Sequence, residues 1–217
     1  LPGKKEQEKF TDHIWTTDNK LVVASDNGKL FVFENNSDAA AGALSGGGKG
    51  GAAGGGALCE LKQSIHCDLK PKHYVDTIAA YGKGFVVAGT KGFFSVYERT
   101  DERKDPFLLI KTFGTGQHSH EHLASLSVSP AGEQVACYTR SNQLLSFPLH
   151  NLDLLSEAQN HFTALPDTGM HVGAVSAMDV CVFKTLIATA GADRTVRVVN
   201  YRTWSPELTH HLSEEPL

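Results

Sequence analysis

Three histidines alternate in the stretch QHSHEHL, and the spacing of His118, His120 and His122 would set three imidazoles on one side of an extended chain. A divalent metal uses such groups, but Glu121 falls on the opposite side and no carboxylate is placed to orient the rings. No metal or other cofactor is therefore expected, and the histidines read as a solvated loop. Asp179 and Asp193 are carboxylates of the kind that serve as general acid or base, yet each lies at a position that a structural repeat explains. The chain has no G-x-S-x-G elbow and no H-E-x-x-H pair, and its Gly-rich run lacks the Lys-Ser/Thr ending of a phosphate loop. No catalytic residue is assigned, and the chain reads as a non-enzyme. Cys59, Cys67, Cys137 and Cys181 form no C-x-x-C pair. The apolar runs VACY and MDVCVF mark Cys137 and Cys181 as buried free thiols of a reduced compartment.

The elements that would position these residues follow from composition and repetition. The 217 residues are 41% hydrophobic and 20% charged, which is enough for a packed core. Twenty Lys and Arg against 24 Asp and Glu give a net charge of −4 with no basic cluster, so nucleic acid is not an expected partner. The apolar runs are strand-sized and no secretion signal opens the chain, so no membrane association is expected. Leu1 stands where an initiator Met would be, and the chain reads as a segment of a longer protein.

Four stretches superimpose: LVVASDNGKLFVFE from Leu21, FVVAGTKGFFSVYE from Phe85, VACYTRSNQLLSFPL from Val135 and IATAGADRTVRVVNY from Ile187. Each is an apolar strand, a polar turn rich in Gly, Asp or Asn, and an alternating strand, which is the pattern of a β-hairpin. Equivalent positions Ser25, Gly89, Thr139 and Gly191 are separated by 64, 50 and 52 residues. The long first interval contains Asp38 to Ala57, 20 residues of nearly pure Gly and Ala that read as a flexible insertion; without them it falls to 44. That is the period of propeller blades, roughly 40–50 residues. A strand candidate precedes each hairpin and another follows three of the four, giving four strands per unit. NLDLLSEAQN, from Asn151 to Asn160, has helical spacing at Leu152, Leu155 and Ala158, with Asn151 as a candidate cap. The expected fold is all-β, a β-propeller with blades near 10–65, 73–113, 122–165 and 171–217 and the insertion at 38–57. Four blades are fewer than usually close a ring, so further blades are expected outside the segment.

The fourth unit, His171 to Tyr201, is similar to the WD-repeat pattern. Asp193 matches its turn aspartate, His171 the histidine that opens a blade, and Thr189 the strand hydroxyl, three members of a hydrogen-bonded chain that ties blade layers together in that family. Val199 replaces the Trp and Asn200 the Asp of the pattern, so the last link is missing. His73 and His122 open the second and third units, which lack the turn aspartate. The segments FTDHIWTTDNKLVVASDNGKLFVFE, TIAAYGKGFVVAGTKGFFSVYE and AVSAMDVCVFKTLIATAGADRTVRVVNY, in this order, resemble a family of ciliary and flagellar WD-repeat proteins. The resemblance implies a scaffold of the axoneme that docks or assembles inner-arm dyneins on doublet microtubules and pairs with a related protein through a coiled coil outside this segment. Arg194 and Arg197 are the candidate interaction surface. The alternative is a cytoplasmic WD-repeat scaffold or substrate receptor with no ciliary role.

Overall fold

A computed structural model of the protein describes residues 8–35, 59–67, 74–115, 122–165 and 171–211. The described residues form four four-stranded antiparallel sheets, each a meander in sequence order. The first sheet comprises β1 (Phe10–Trp15), β2 (Lys20–Ser25), β3 (Lys29–Asn35) and β4 (Cys59–His66). The second comprises β5 (Val75–Tyr81), β6 (Gly84–Gly89), β7 (Phe93–Arg99) and β8 (Phe107–Gly114). The third comprises β9 (Leu123–Val128), β10 (Gln134–Thr139), β11 (Leu144–Pro148) and β12 (Thr163–Leu165). The fourth comprises β13 (Val175–Val180), β14 (Leu186–Gly191), β15 (Thr195–Asn200) and β16 (Ser205–His211). Helix is confined to single 3-10 turns among these residues. The fold is a partial β-propeller of about four blades.

Repetition extends to individual bonds. In every sheet the N–H one residue past the hairpin's first strand returns to the carbonyl that precedes the sheet: Asp26 to Lys9, Thr90 to Tyr74, Arg140 to His122 and Ala192 to Ala174. Pairing of the first two strands skips one residue at the same place each time, between Phe10 and Asp12, Val75 and Thr77, Leu123 and Ser125, and Val175 and Ala177. The third residue after each equivalent position has positive φ: Gly28, Gly92, Asn142 and Arg194, at 78°, 65°, 63° and 63°. This is a turn followed by a left-handed residue, the geometry of a short hairpin connection with a bulge. Glycine and asparagine adopt it at little cost, whereas Arg194 does so against the preference of its Cβ.

The chain divides into two compact units, one of residues up to 90 and 94–112, the other of residues 91–93 and from 113 onward. In the first, β5 lies against β1 and β2. Val22, Ala24, Leu30 and Val32 of the first sheet, and Phe85, Val87, Phe94 and Val96 of the second, are fully buried. Burial of each large apolar side chain contributes about 1.5–3 kcal/mol. Polar ties fix the alignment: Asp12 Oδ2 accepts the Ile78 N–H at 2.9 Å, and the Gln63 amide exchanges two bonds with the Phe107 backbone at 2.8 and 3.1 Å. In the second unit, the Phe147 ring lies tilted at 4.9 Å between centroids from both Phe113 and Phe162, and Leu123, Val135, Cys137 and Leu145 are fully buried.

Three expectations change. The Asn151–Asn160 stretch makes only one 3-10 turn, Leu152–Leu154, and Asn151 is left-handed with no side-chain capping bond. Its apolar residues do not share a helical face, since Leu155 is already extended. The fourth unit has a fourth strand, β16, hidden in the sequence because Pro206 and a polar run interrupt the strand signal; proline is tolerated at an edge strand. Cys181, which directly follows the wholly exposed β13, is exposed, and so is Cys59 at the start of β4; Cys137 alone is fully buried. The Asp38–Ala57 insertion lies outside the described residues.

Candidate functional site

The polar groups of the fourth sheet converge on Asp193, two residues into the β14–β15 turn. Its Oδ1 lies 2.8 Å from His171 Nδ1 and accepts the Thr195 hydroxyl at 2.7 Å and the Thr195 N–H at 3.2 Å. Its Oδ2 accepts the Val172 N–H at 3.0 Å and Arg197 Nη2 at 3.3 Å. A carboxylate only accepts, so Nδ1 of His171 carries the proton, and Nε2 takes the Thr189 hydroxyl at 2.9 Å. The His171 side chain is fully buried and that of Asp193 is 11% exposed. Partial burial pushes the Asp193 carboxyl upward, but the bonds from His171, Val172 and Thr195 outweigh it and hold the group well below the usual carboxylate range.

Gly191 makes room for this arrangement. A Cβ there would lie 2.3 Å from His171 Nδ1 and 2.9 Å from Asp193 Oδ1, inside contact distance. The first and third sheets carry Ser25 and Thr139 at this position and close their turns locally. Ser25 bonds to Asn27 and the Lys29 carbonyl; Thr139 bonds to Ser141 at 2.9 Å and accepts the Gln143 N–H at 3.1 Å. The first turn also reaches an upstream side chain, Glu8, through Asn27 and Lys29, whereas in the fourth the turn carboxylate itself binds a buried ring 22 residues upstream.

His171, Thr189 and Asp193 are thus in direct contact, and Thr195 joins them. Thr195 was not among the residues singled out from the sequence; the Asp-x-Thr spacing of a side-chain-capped turn was the signal for it. Val199 is buried at 2% exposure opposite Ile187, so the hydrogen-bonded series stops at Thr189. Arg197 is half-buried and bonded to Asp193, which makes it a member of the network; Arg194 is exposed at the turn. Asp179 accepts the following N–H, from Val180, at 2.9 Å on the exposed β13. His122 aligns by register with Ala174, three residues past the position of His171, so the two are not equivalent. His73, His118 and His120 lie outside the described residues. Among the described residues no three metal-binding side chains cluster, and no helix is long and apolar enough to cross a membrane.

The Asp193–His171–Thr189 order has the connectivity of an acid–base–nucleophile triad. Its exposure decides against that chemistry. Thr189 is 3% exposed and the His171 ring is sealed, so no substrate carbonyl can approach either. What the geometry does is lock the chain entering the sheet onto the turn between its two central strands.

No family model matches the chain. It is 24% identical over 237 aligned residues to cilia- and flagella-associated protein 57 of Mus musculus, a match that covers 97% of this chain and 19% of that protein. It is 24% identical to cilia- and flagella-associated protein 57 A of Tetrahymena thermophila, over 91% of this chain and 14% of the relative. The 57 C protein of the same organism matches at 22% identity over 99% of this chain and 16% of its own length. The chain spans less than a fifth of the length of the curated relatives it matches. Across nearly all of its 217 residues, it is similar to the cilia- and flagella-associated 57 proteins of mouse and Tetrahymena.

Proposed function

We propose that the chain is part of a non-enzymatic scaffold of the ciliary axoneme that helps dock or assemble inner-arm dyneins on doublet microtubules. The observation that carries the reading is similarity to three proteins named for cilia and flagella, over 91–99% of this chain. The geometry is in keeping with it. The polar cluster is sealed and structural, while the hairpin turns hold exposed side chains such as Arg194 on a rigid frame, which is what a docking surface needs. The test is fractionation of a tagged full-length protein from cilia. Retention with the axoneme after detergent, and release by salt together with an inner-arm dynein, is the expected result. A protein lost with the soluble fraction would sink the axonemal reading and return the chain to a general cytoplasmic scaffold.

A further inference from the structure

The turn between the two central strands of each sheet emerges at the same end as the chain that enters that sheet, since the two are joined by a backbone bond in every case. Blades repeat one unit around a common axis, so within the second compact unit these ends belong to one side. Three of its turns present a cation there: Lys91 between β6 and β7, Arg140 between β10 and β11, and Arg194 between β14 and β15, all exposed. A neighbouring blade packs on the face of a sheet and not over its strand ends, so these tips stay open whichever sheet is last in the stack. Among the described residues of this unit, the turns at this end hold one carboxylate, that of Asp193, and five donors already occupy it. The opposite end mixes Glu133, Asp153 and Glu157 with Lys184 and Arg202, all exposed. Free positive charge is thus sorted to the turn end.

Two of the cations also hold a strained backbone. φ is 63° at Arg194, where the other sheets place Gly28, Gly92 and Asn142, and 57° at Lys91, the residue before Gly92. A Cβ disfavours that conformation, and residues kept in it collect at functional sites. All three turns are pinned by backbone bonds: the Thr115 N–H to the Gly92 carbonyl at 3.1 Å, the Asn142 N–H to the Thr139 carbonyl at 3.1 Å, and the Arg194 N–H to the Gly191 carbonyl at 3.0 Å. Cations on fixed stems lose less freedom when a partner binds. Carboxylates are the groups they take up, through charge-assisted bonds. A single-stranded nucleic acid would need exposed rings on which to stack its bases, and the exposed rings of this unit, Phe183 and Tyr201, lie at the other end.

We propose that this side of the second unit docks an acidic, glutamate-rich segment of a protein partner, whose carboxylates pair with Lys91, Arg140 and Arg194. The inference rests on the scaffold reading above and names the chemistry of what is docked. Fluorescence anisotropy of a labelled oligoglutamate, titrated with the purified 217-residue chain, tests it. The chain is negative overall, at −4, so an acidic probe is held only by a local patch. The expected result is saturable binding that weakens several-fold between about 50 and 200 mM salt. Lys91→Gly, Arg140→Ala and Arg194→Gly should each weaken it roughly two- to fivefold and together abolish it. The circular dichroism spectrum should not change, because glycine is at home at positive φ. Arg202→Ala, at the opposite end, should leave binding as it was. No binding at the lowest salt, or equal binding by the triple variant, would overturn the proposal. Tighter binding of an oligothymidylate of the same charge would overturn it in favour of a nucleic acid. A null peptide result with axonemal retention of the tagged protein would sink this inference and keep the scaffold reading. Peptide binding by a protein lost with the soluble fraction would keep the acidic partner and sink the axonemal placement.

Discussion

Replacing Asp193 by Ala removes the acceptor on which five donors converge, and the cost is set chiefly by the most deeply buried of them. The Val172 N–H and the Arg197 guanidinium are exposed or half-buried, so water takes the place of the carboxylate at little cost. The Thr195 hydroxyl can turn to another partner, and it already lies 3.1 Å from His171 Nδ1. The His171 N–H is different: its ring is fully buried, and a lone buried donor costs about 1–3 kcal/mol. The expected loss is therefore about 1–3 kcal/mol, near the lower figure if Thr195 rotates to accept. Urea unfolding measures it. The chain has two tryptophans, Trp15 in β1 and Trp204 in the turn before β16, so a Trp15→Phe background makes Trp204 fluorescence report the fourth sheet. The pH dependence gives a second readout. The folded carboxyl is held below its unfolded value of about 3.9, so its contribution is fully present above that value and is lost as pH falls toward the folded one. The gap between wild type and Asp193→Ala should be constant from about pH 5 upward and narrow below about pH 4. A change under about 0.5 kcal/mol at neutral pH would refute the reasoning, showing that the missing Trp link has already uncoupled the network from stability.

Gly191→Ala should cost about 1–3 kcal/mol by forcing His171 out of its place, measured in the same unfolding experiment; an unchanged midpoint would mean that the ring has room to move. Arg194→Gly should leave stability unchanged or raise it by up to about 1 kcal/mol, since φ is 63° there, and the variant thereby separates binding from folding: lost axonemal retention with intact stability assigns Arg194 to an interface. Thiol labelling of the native chain should modify Cys59 and Cys181 rapidly. Cys137, whose thiol is pushed up to about 12 by burial, should react only on unfolding, and labelling it at the native rate would contradict the core described.

The sequence made the hairpins legible because a strand–turn–strand unit is local: alternation and turn residues lie within about 15 positions of each other. The equivalence of Ser25, Gly89, Thr139 and Gly191 that came from superimposing the four stretches is the one that the bonds back to Lys9, Tyr74, His122 and Ala174 also give. What was not legible depends on partners distant in sequence. Cys181 looked like a core residue because Val180, Val182 and Phe183 surround it, yet Val182 and Phe183 are themselves 89% and 94% exposed. Apolar composition shows that a strand is able to be buried, not that anything covers it. β16 was missed for the converse reason, since an edge strand with Pro206 has little apolar signal of its own and exists through pairing with β15. The roles of Arg197 and Thr195 follow from a carboxylate whose surroundings only the folded turn creates.

Gly191 also bears on the order in which the chain folds. Turns closed by Ser25 with Asn27, or by Thr139 with Ser141, bring together groups two residues apart, so those hairpins can lock as soon as they form. In the fourth hairpin Gly191 supplies no hydroxyl and Thr195 closes the turn onto Asp193 instead, while the Asp193–His171 contact must bridge 22 residues. During synthesis His171 emerges first, and Asp193 supplies its partner only as the turn completes. One carboxylate therefore serves two stages, closing its own turn onto Thr195 as the hairpin forms and then holding the chain that leads into the sheet.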